Sequence, residues 1–239
     1  MNLLAIDTSG PVCGVAVMKN GVLCYEAVAM NKLTHSVSMV PMVEEALNKS
    51  STDISEIDLY AAVTGPGSFT GVRIGVSAVK GMAHGAGKPC IAVDALEALA
   101  SGIGLAPCLL CPIQDARAGQ VYGAVFASGM PVKRLCDDMA AKLPEYLDIA
   151  LSLAQPEQKL LFTGDGVPTY RTAIADALGD RALFAPAEAA YLRPACVAAL
   201  AWQKQNEAVD YLTLQPHYLR APQAERARKA KLAAEGAEK

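Results

Sequence analysis

The chain of 239 residues is short of charge and of aromatic rings: 19% is Asp, Glu, Lys or Arg, 5% is Phe, Trp or Tyr, and there is one tryptophan. With 52% apolar residues it reads as an ordinary globular protein with an ample core, long enough for one large or two small domains. A basic excess is missing. The 21 Lys and Arg face 24 Asp and Glu, a net charge of -3, so nothing draws the whole protein to nucleic acid and any RNA contact has to be local or shared with partners. No apolar run reaches membrane-spanning length, and MNLLAID runs straight into a strand pattern with no secretory n-region, so the expected location is cytoplasmic with no membrane contact. Histidine is scarce: His35, His84 and His217 show no ligand spacing and no HExxH occurs, so no metal site is expected and each is read as structural. No Ser or Cys sits in a nucleophile elbow, so no catalytic residue is assigned. The seven cysteines are odd in number and scattered through apolar runs, the pattern of reduced core thiols, and the single CxxC, Cys108 and Cys111, has no second pair at zinc spacing.

What the chain does have is small residues in one place. Residues 63–85, VTGPGSFTGVRIGVSAVKGMAHG, read as a strand end, a glycine turn and a helix. Gly65 and Gly67 tolerate positive φ, Pro66 fixes one φ, and Ser68 suits an N-cap. Such a turn is either an anion cradle at a helix N-terminus or a plain tight turn. It is neither the dinucleotide fingerprint nor the Walker loop, because no Lys follows and the glycine spacing is wrong. Inside the helix Gly71, Gly75 and Gly81 each cost about 1 kcal/mol relative to Ala, which calls for an offset. With Ala78 and Gly85 they form a small-residue row that admits close backbone approach, by a neighbour in the same domain or by a partner subunit.

Along the chain, strands are expected at 3–7, 12–18 and 22–29, with Asn20-Gly21 as a type I′ hairpin. A helix at 34–47 follows, apolar over a wide arc and containing Pro41, then a strand at 59–63, the glycine turn and helix, a strand at 89–93 and a helix at 95–101 capped by Asp94. The second half repeats the plan with strands at 109–115, 121–127 and 131–136, a helix at 146–153, a strand at 159–162 and a helix at 170–178. Asp7 and Asp115 end the two first strands 108 positions apart, Gly21 and Gly129 share that offset, and TGPG at 64–67 is echoed by TGDG at 163–166. These matches argue for a duplicated domain. The stretch 214–220, LQPHYLR, is extended and partly aromatic. Residues 221–239 are charged without an apolar stripe and are expected to be disordered; their basic cluster, Arg226, Arg228, Lys229 and Lys231, is a solvated tail or an RNA contact.

Two β-β-β-α-β-α units, each with an acidic residue ending its first strand and a glycine turn facing it, resemble an α/β fold of tandem ribonuclease H-like halves with mixed sheets flanked by helices, the actin/sugar-kinase (ASKHA) type. The halves are expected at 1–103 and 104–220. More specifically, LLAIDTSG, LTHSVSMVPMVEEAL, VTGPGSFTGVRIGVSAVKGMA, QDARAGQVYGAVF, LLFTGDG and PHYLRAPQAE, in this order, closely resemble the TsaB (YeaZ) family. The resemblance implies a non-catalytic dimerisation subunit of the bacterial machinery that makes threonylcarbamoyladenosine beside the tRNA anticodon. It implies pairing with a TsaD-type transferase through helices of the first half, here Val37, Val40, Val43 and Leu47 with Gly71, Gly75, Ala78, Val79 and Met82. A TsaE-type ATPase and tRNA enter through the complex, and a free apolar face favours a homodimer when the protein is alone. The transferase relative holds metal through His-x-x-x-His; this chain has His35 and then Met39. By analogy with kinases of the fold, Asp7, Thr8 and Ser9, facing Gly65, Gly67 and Ser68, leave weak ATP or ADP binding open, although no cofactor is required. The competing expectation is a stand-alone ATP-dependent phosphotransferase or hydrolase.

Overall fold

The computed structural model describes residues 1–31 and 33–220; the expected disordered tail and its basic cluster lie outside the described residues. The first half runs β1 (Asn2–Asp7), β2 (Cys13–Lys19), β3 (Val22–Ala29), α1 (His35–Lys49), β4 (Leu59–Gly65), α2 (Phe69–Ala86), β5 (Cys90–Asp94) and α3 (Ala95–Ser101). Asn20 and Gly21 both take positive φ, 49° and 79°, as a type I′ turn requires. The sheet order is β3-β2-β1-β4-β5, with β1 antiparallel to β2 and parallel to β4. Both faces of β1 are covered, which is why it reads as a continuous apolar run. Leu4 and Ile6 pack towards α1 and α2, and Leu3 and Ala5 towards the opposite side.

The second half runs β6 (Leu109–Asp115), β7 (Gln120–Gly123), β8 (Phe126–Ala127), β9 (Lys133–Arg134), β10 (Met139–Lys142), α4 (Leu143–Leu153), β11 (Leu160–Thr163), α5 (Val167–Leu178), β12 (Ala182–Phe184) and α6 (Pro194–Gln203). Its main path, β10-β7-β6-β11-β12, reproduces the first sheet strand for strand. The fold is the tandem ribonuclease H-like plan, in which Asp115 answers Asp7 and the 163–166 turn answers that at 64–67.

Three expectations change. The run at 121–127 is not one strand, because the Tyr146 ring fills the space beside Gly123, 2.6 Å from where a Cβ would stand, and the chain leaves the β10 pairing there. The third strand of the second sheet is β10 rather than 131–136, of which only β9 is extended and pairs with β8. Gly129 therefore lies in the β8–β9 turn and has no structural tie to Gly21.

The largest difference is α6, apolar on all sides and so without a readable period. Its buried Val197, Ala198, Leu200 and Ala201 share a core with Leu3, Ala5, Ala16, α3, Leu110 and Phe126. Pro194 fills the space over Gly14, and Cys90 and Val209 exchange two backbone hydrogen bonds of 2.8 Å. Residues 194–214 thus complete the core of the first half although they follow the second in sequence.

The glycine row divides in two. A Cβ on Gly71 would meet the carbonyl oxygen of Thr8, and one on Gly75 would stand 2.6 Å from Thr8 Oγ1. Thr8 Oγ1 donates to Gly71 O at 2.6 Å in a buried site. These two glycines serve the protomer's own packing, the first of the two uses open to the small-residue row. Gly81 and Gly85 face open space. Gly75→Ala should then cost about 1–3 kcal/mol by overpacking, whereas Gly85→Ala should gain up to about 1 kcal/mol of helix propensity. Urea unfolding midpoints check this: equal shifts for the two variants would contradict it.

Candidate functional site

Between the halves lies a cleft of about 750 Å³, lined by Ser9, Gly10, Gly67, Ser68, Gln114, Asp115, Asp165 and Tyr191 among others. Its floor is built from the equivalent ends of β1 and β6 and the turn after β11. Asp7 is 1% exposed and lines a small recess behind the cleft with Ser9, Gln114 and Asp165. Its carboxylate accepts from Ser9 N at 2.8 Å. Burial pushes the Asp7 carboxyl up to about 6, against the opposing pull of the Ser9 backbone hydrogen bond and of His35. Burial likewise pushes Asp165 up to about 6, helped by the charges of Asp115 and Asp7. Among the described residues, Ser9 Oγ, Gln114 Oε1 and Asp165 Oδ1 are buried here with no hydrogen-bond partner, an arrangement suited to water, a cation or a polar ligand.

The glycine turn is occupied with holding the fold. Ser68 N donates to Ser9 O at 2.7 Å, and the Ser68 hydroxyl caps α2 by accepting from Gly71 N at 3.2 Å. A Cβ on Gly65 would meet His217 O at 2.5 Å, and one on Gly67 would strike Ser9 O. Close backbone approach thus accounts for both glycines. The Thr8 hydroxyl is committed to Gly71. Of the residues expected to hold a nucleotide, Ser9, Gly67 and Ser68 line the cleft, Asp7 lies behind it, and Thr8 and Gly65 face inward. A nucleotide's phosphates would meet the carboxylates of this floor, so they would need a cation between.

Sequence reading missed the segment that closes the cleft. His217 N donates to Thr64 O at 2.7 Å, the Tyr218 ring stands 4.8 Å from that of Phe69, and Arg73 Nε donates to Tyr218 Oη at 2.6 Å. Two residues on, Arg220 donates to Ala116 O at 2.9 Å. Residues 217–220 therefore run from the first half to the second. The extended, aromatic character of LQPHYLR was the available signal, and the TGDG echo was the signal for Asp165.

The metal pair of the transferase relative does not fit here: His35 Nε2 bonds Gly10 O at 2.8 Å, and Met39 is buried in the core beneath α1. Of the residues expected at a partner interface, Val43, Leu47 and Val79 are buried in that same core. Ala78 and Met82 are half-buried, while Val37 and Val40 are 58% and 52% exposed.

The raised carboxyls predict a pH dependence. Asp7 binds its proton more tightly folded than unfolded, so its stabilising effect is complete below about pH 4 and is lost as pH rises through about 6. Above pH 6 the buried charge is a net cost of up to about 3 kcal/mol. Asp7→Asn should raise the urea midpoint at pH 8 and flatten the fall between pH 4 and 6. A variant no more stable than wild type at pH 8 would contradict this.

Comparison with known proteins agrees with this architecture. The family model described as TsaD, tRNA N6-adenosine threonylcarbamoyltransferase, matches residues 29–228. The tRNA threonylcarbamoyladenosine biosynthesis protein TsaB of Bacillus subtilis is 34% identical over 227 residues, 94% of this chain and 96% of that one. The Escherichia coli protein of the same name is 39% identical over 129 residues, 53% of this chain and 55% of that one. A Pseudomonas aeruginosa crystal structure, described as an uncharacterized protein with similarity to peptidase YEAZ, superposes with a TM-score of 0.73 at 25% identity, covering 92% of this chain and 99% of that one. With a relative alike over almost its full length and both halves of the fold in register, the chain belongs to the TsaB (YeaZ) family.

Proposed function

We propose that this protein serves the biosynthesis of threonylcarbamoyladenosine in tRNA as a non-catalytic subunit that binds and activates a TsaD-type transferase. The observation that carries this reading is the apolar surface of the first half: Val37 and Val40 stand exposed on α1, with Ile74, Ala78 and Met82 half-buried along α2. Leaving such side chains in water forfeits burial energy that a partner helix pair would recover, at roughly 25 cal/mol per Å². The same surface supports a homodimer when the transferase is absent. No cofactor is needed for this role, and the TsaE-type ATPase and tRNA are engaged through the complex. His35 bonded to a carbonyl and Met39 in the core leave the family's metal chemistry to the partner.

A second reading, an ATP-dependent phosphotransferase or hydrolase, draws on the acid-floored cleft alone. Sedimentation of the protein alone and mixed with the TsaD-type subunit of the same cell decides between them. A homodimer that exchanges into a heterodimer is expected, and Val40→Asp should block both associations while circular dichroism stays native, because its side chain is exposed. A monomer indifferent to that subunit, with Mg²⁺-dependent ATP turnover, would establish the second reading instead.

A further inference from the structure

Among the described residues, one gathering of metal-ligating side chains is used neither by the cleft floor nor by the apolar surface. Asp94 ends β5 and caps α3, accepting from Glu97 N at 2.7 Å. Asp138, whose side chain is 7% exposed, precedes β10. Arg134 of β9 donates to Asp94 at 2.8 Å and also to Asp138, with its guanidinium 4.6 Å over the Phe126 ring. His217 comes from the segment that closes the cleft, its main chain fixed on Thr64 O. One ligand atom from each of Asp94, Asp138 and His217 lies within 4.8 Å of the others. The three come from segments far apart in the chain, so spacing along the sequence could not reveal them.

The charge balance is incomplete. Two carboxylates face one guanidinium, which leaves one negative charge unmatched. We propose that Asp94, Asp138 and His217 form a binding site for a divalent transition-metal ion of the zinc class, with a further position open to water. The donor set sets the class. One imidazole with two carboxylates suits zinc, whereas magnesium and calcium favour oxygen throughout. Zinc bonds of about 2.0–2.2 Å require the ligand atoms to draw closer than they stand, and rotation of the exposed His217 ring supplies that movement. Arg134 donates to the Oδ1 atom of each carboxylate and so orients both ligands. The ion ties β5 of the first half, the β9–β10 connection of the second and the segment across the cleft to one point. The site does not depend on the proposed partner role.

Cys24 is an exposed free thiol that binds soft metals itself, so the test uses the full chain in a Cys24→Ser background. Zn²⁺ and Co²⁺ are titrated by calorimetry, with Co²⁺ absorption reporting the ligand type. The expected result is one ion per chain with nitrogen and oxygen ligation and no thiolate charge-transfer band. His217→Ala should weaken binding by at least about tenfold, and Asp138→Asn should abolish it. Binding that survives both substitutions, a thiolate band, or no uptake below about 1 mM ion overturns the proposal. Should Asp138→Asn unfold because Arg134 loses a partner, His217→Ala decides alone, since its ring is exposed and circular dichroism will report an intact fold.

Discussion

The structure depends on how closely α2 can approach the end of β1. The Thr8 hydroxyl donates to Gly71 O at 2.6 Å, and Gly71 and Gly75 leave no side chain in the way. That contact fixes the 64–68 turn against Ser9, and with it the position of Asp7 and Ser9 at the floor of the cleft. Two helix-weakening glycines are therefore not a defect of α2. They are the condition for a backbone contact that no larger residue permits, and the buried hydrogen bond repays part of their propensity cost.

The floor places carboxylates where burial opposes their charge. Burial pushes Asp7 and Asp165 both up to about 6, and Ser9, Gln114 and Asp165 oxygens between the two halves have no partner among the described residues. A site tuned only for stability would replace these groups by apolar ones of similar shape. Their retention leaves the interface between the halves polar, while the shared apolar core below, from Leu3 to Phe126, provides cohesion.

Much of this was legible in the sequence. Local signals carried the Asn20-Gly21 hairpin, the Ser68 and Asp94 caps, and the equivalence of Asp7 with Asp115, because turn and cap chemistry act within a few residues. The motifs at 64–67 and 163–166 marked equivalent turns. What was not legible came from tertiary contacts. Whether Gly75 faced a partner or the protomer's own Thr8 turned on a distance across the fold. The same holds for Val43, Leu47 and Val79, whose apolar character suits a core and an interface equally. Gly129 matched an offset by coincidence, since Tyr146 beside Gly123 moves the third strand of the second sheet to β10. His217 offered no ligand spacing because its neighbours in space, Asp94 and Asp138, are remote in the chain.

The return of α6 onto the first sheet has a consequence for synthesis. As the chain leaves the ribosome, β1, β2 and β4 can pair early, but the face formed by Leu3, Ala5 and Ala16, bordered by α3, lacks its α6 cover until residues 197–201 emerge. The amino-terminal half must wait, with an apolar surface open, for almost the whole second half to be made. Folding of the two halves is thereby coupled in time, and the nascent first sheet is the stage at which chaperones or premature association have most to act upon.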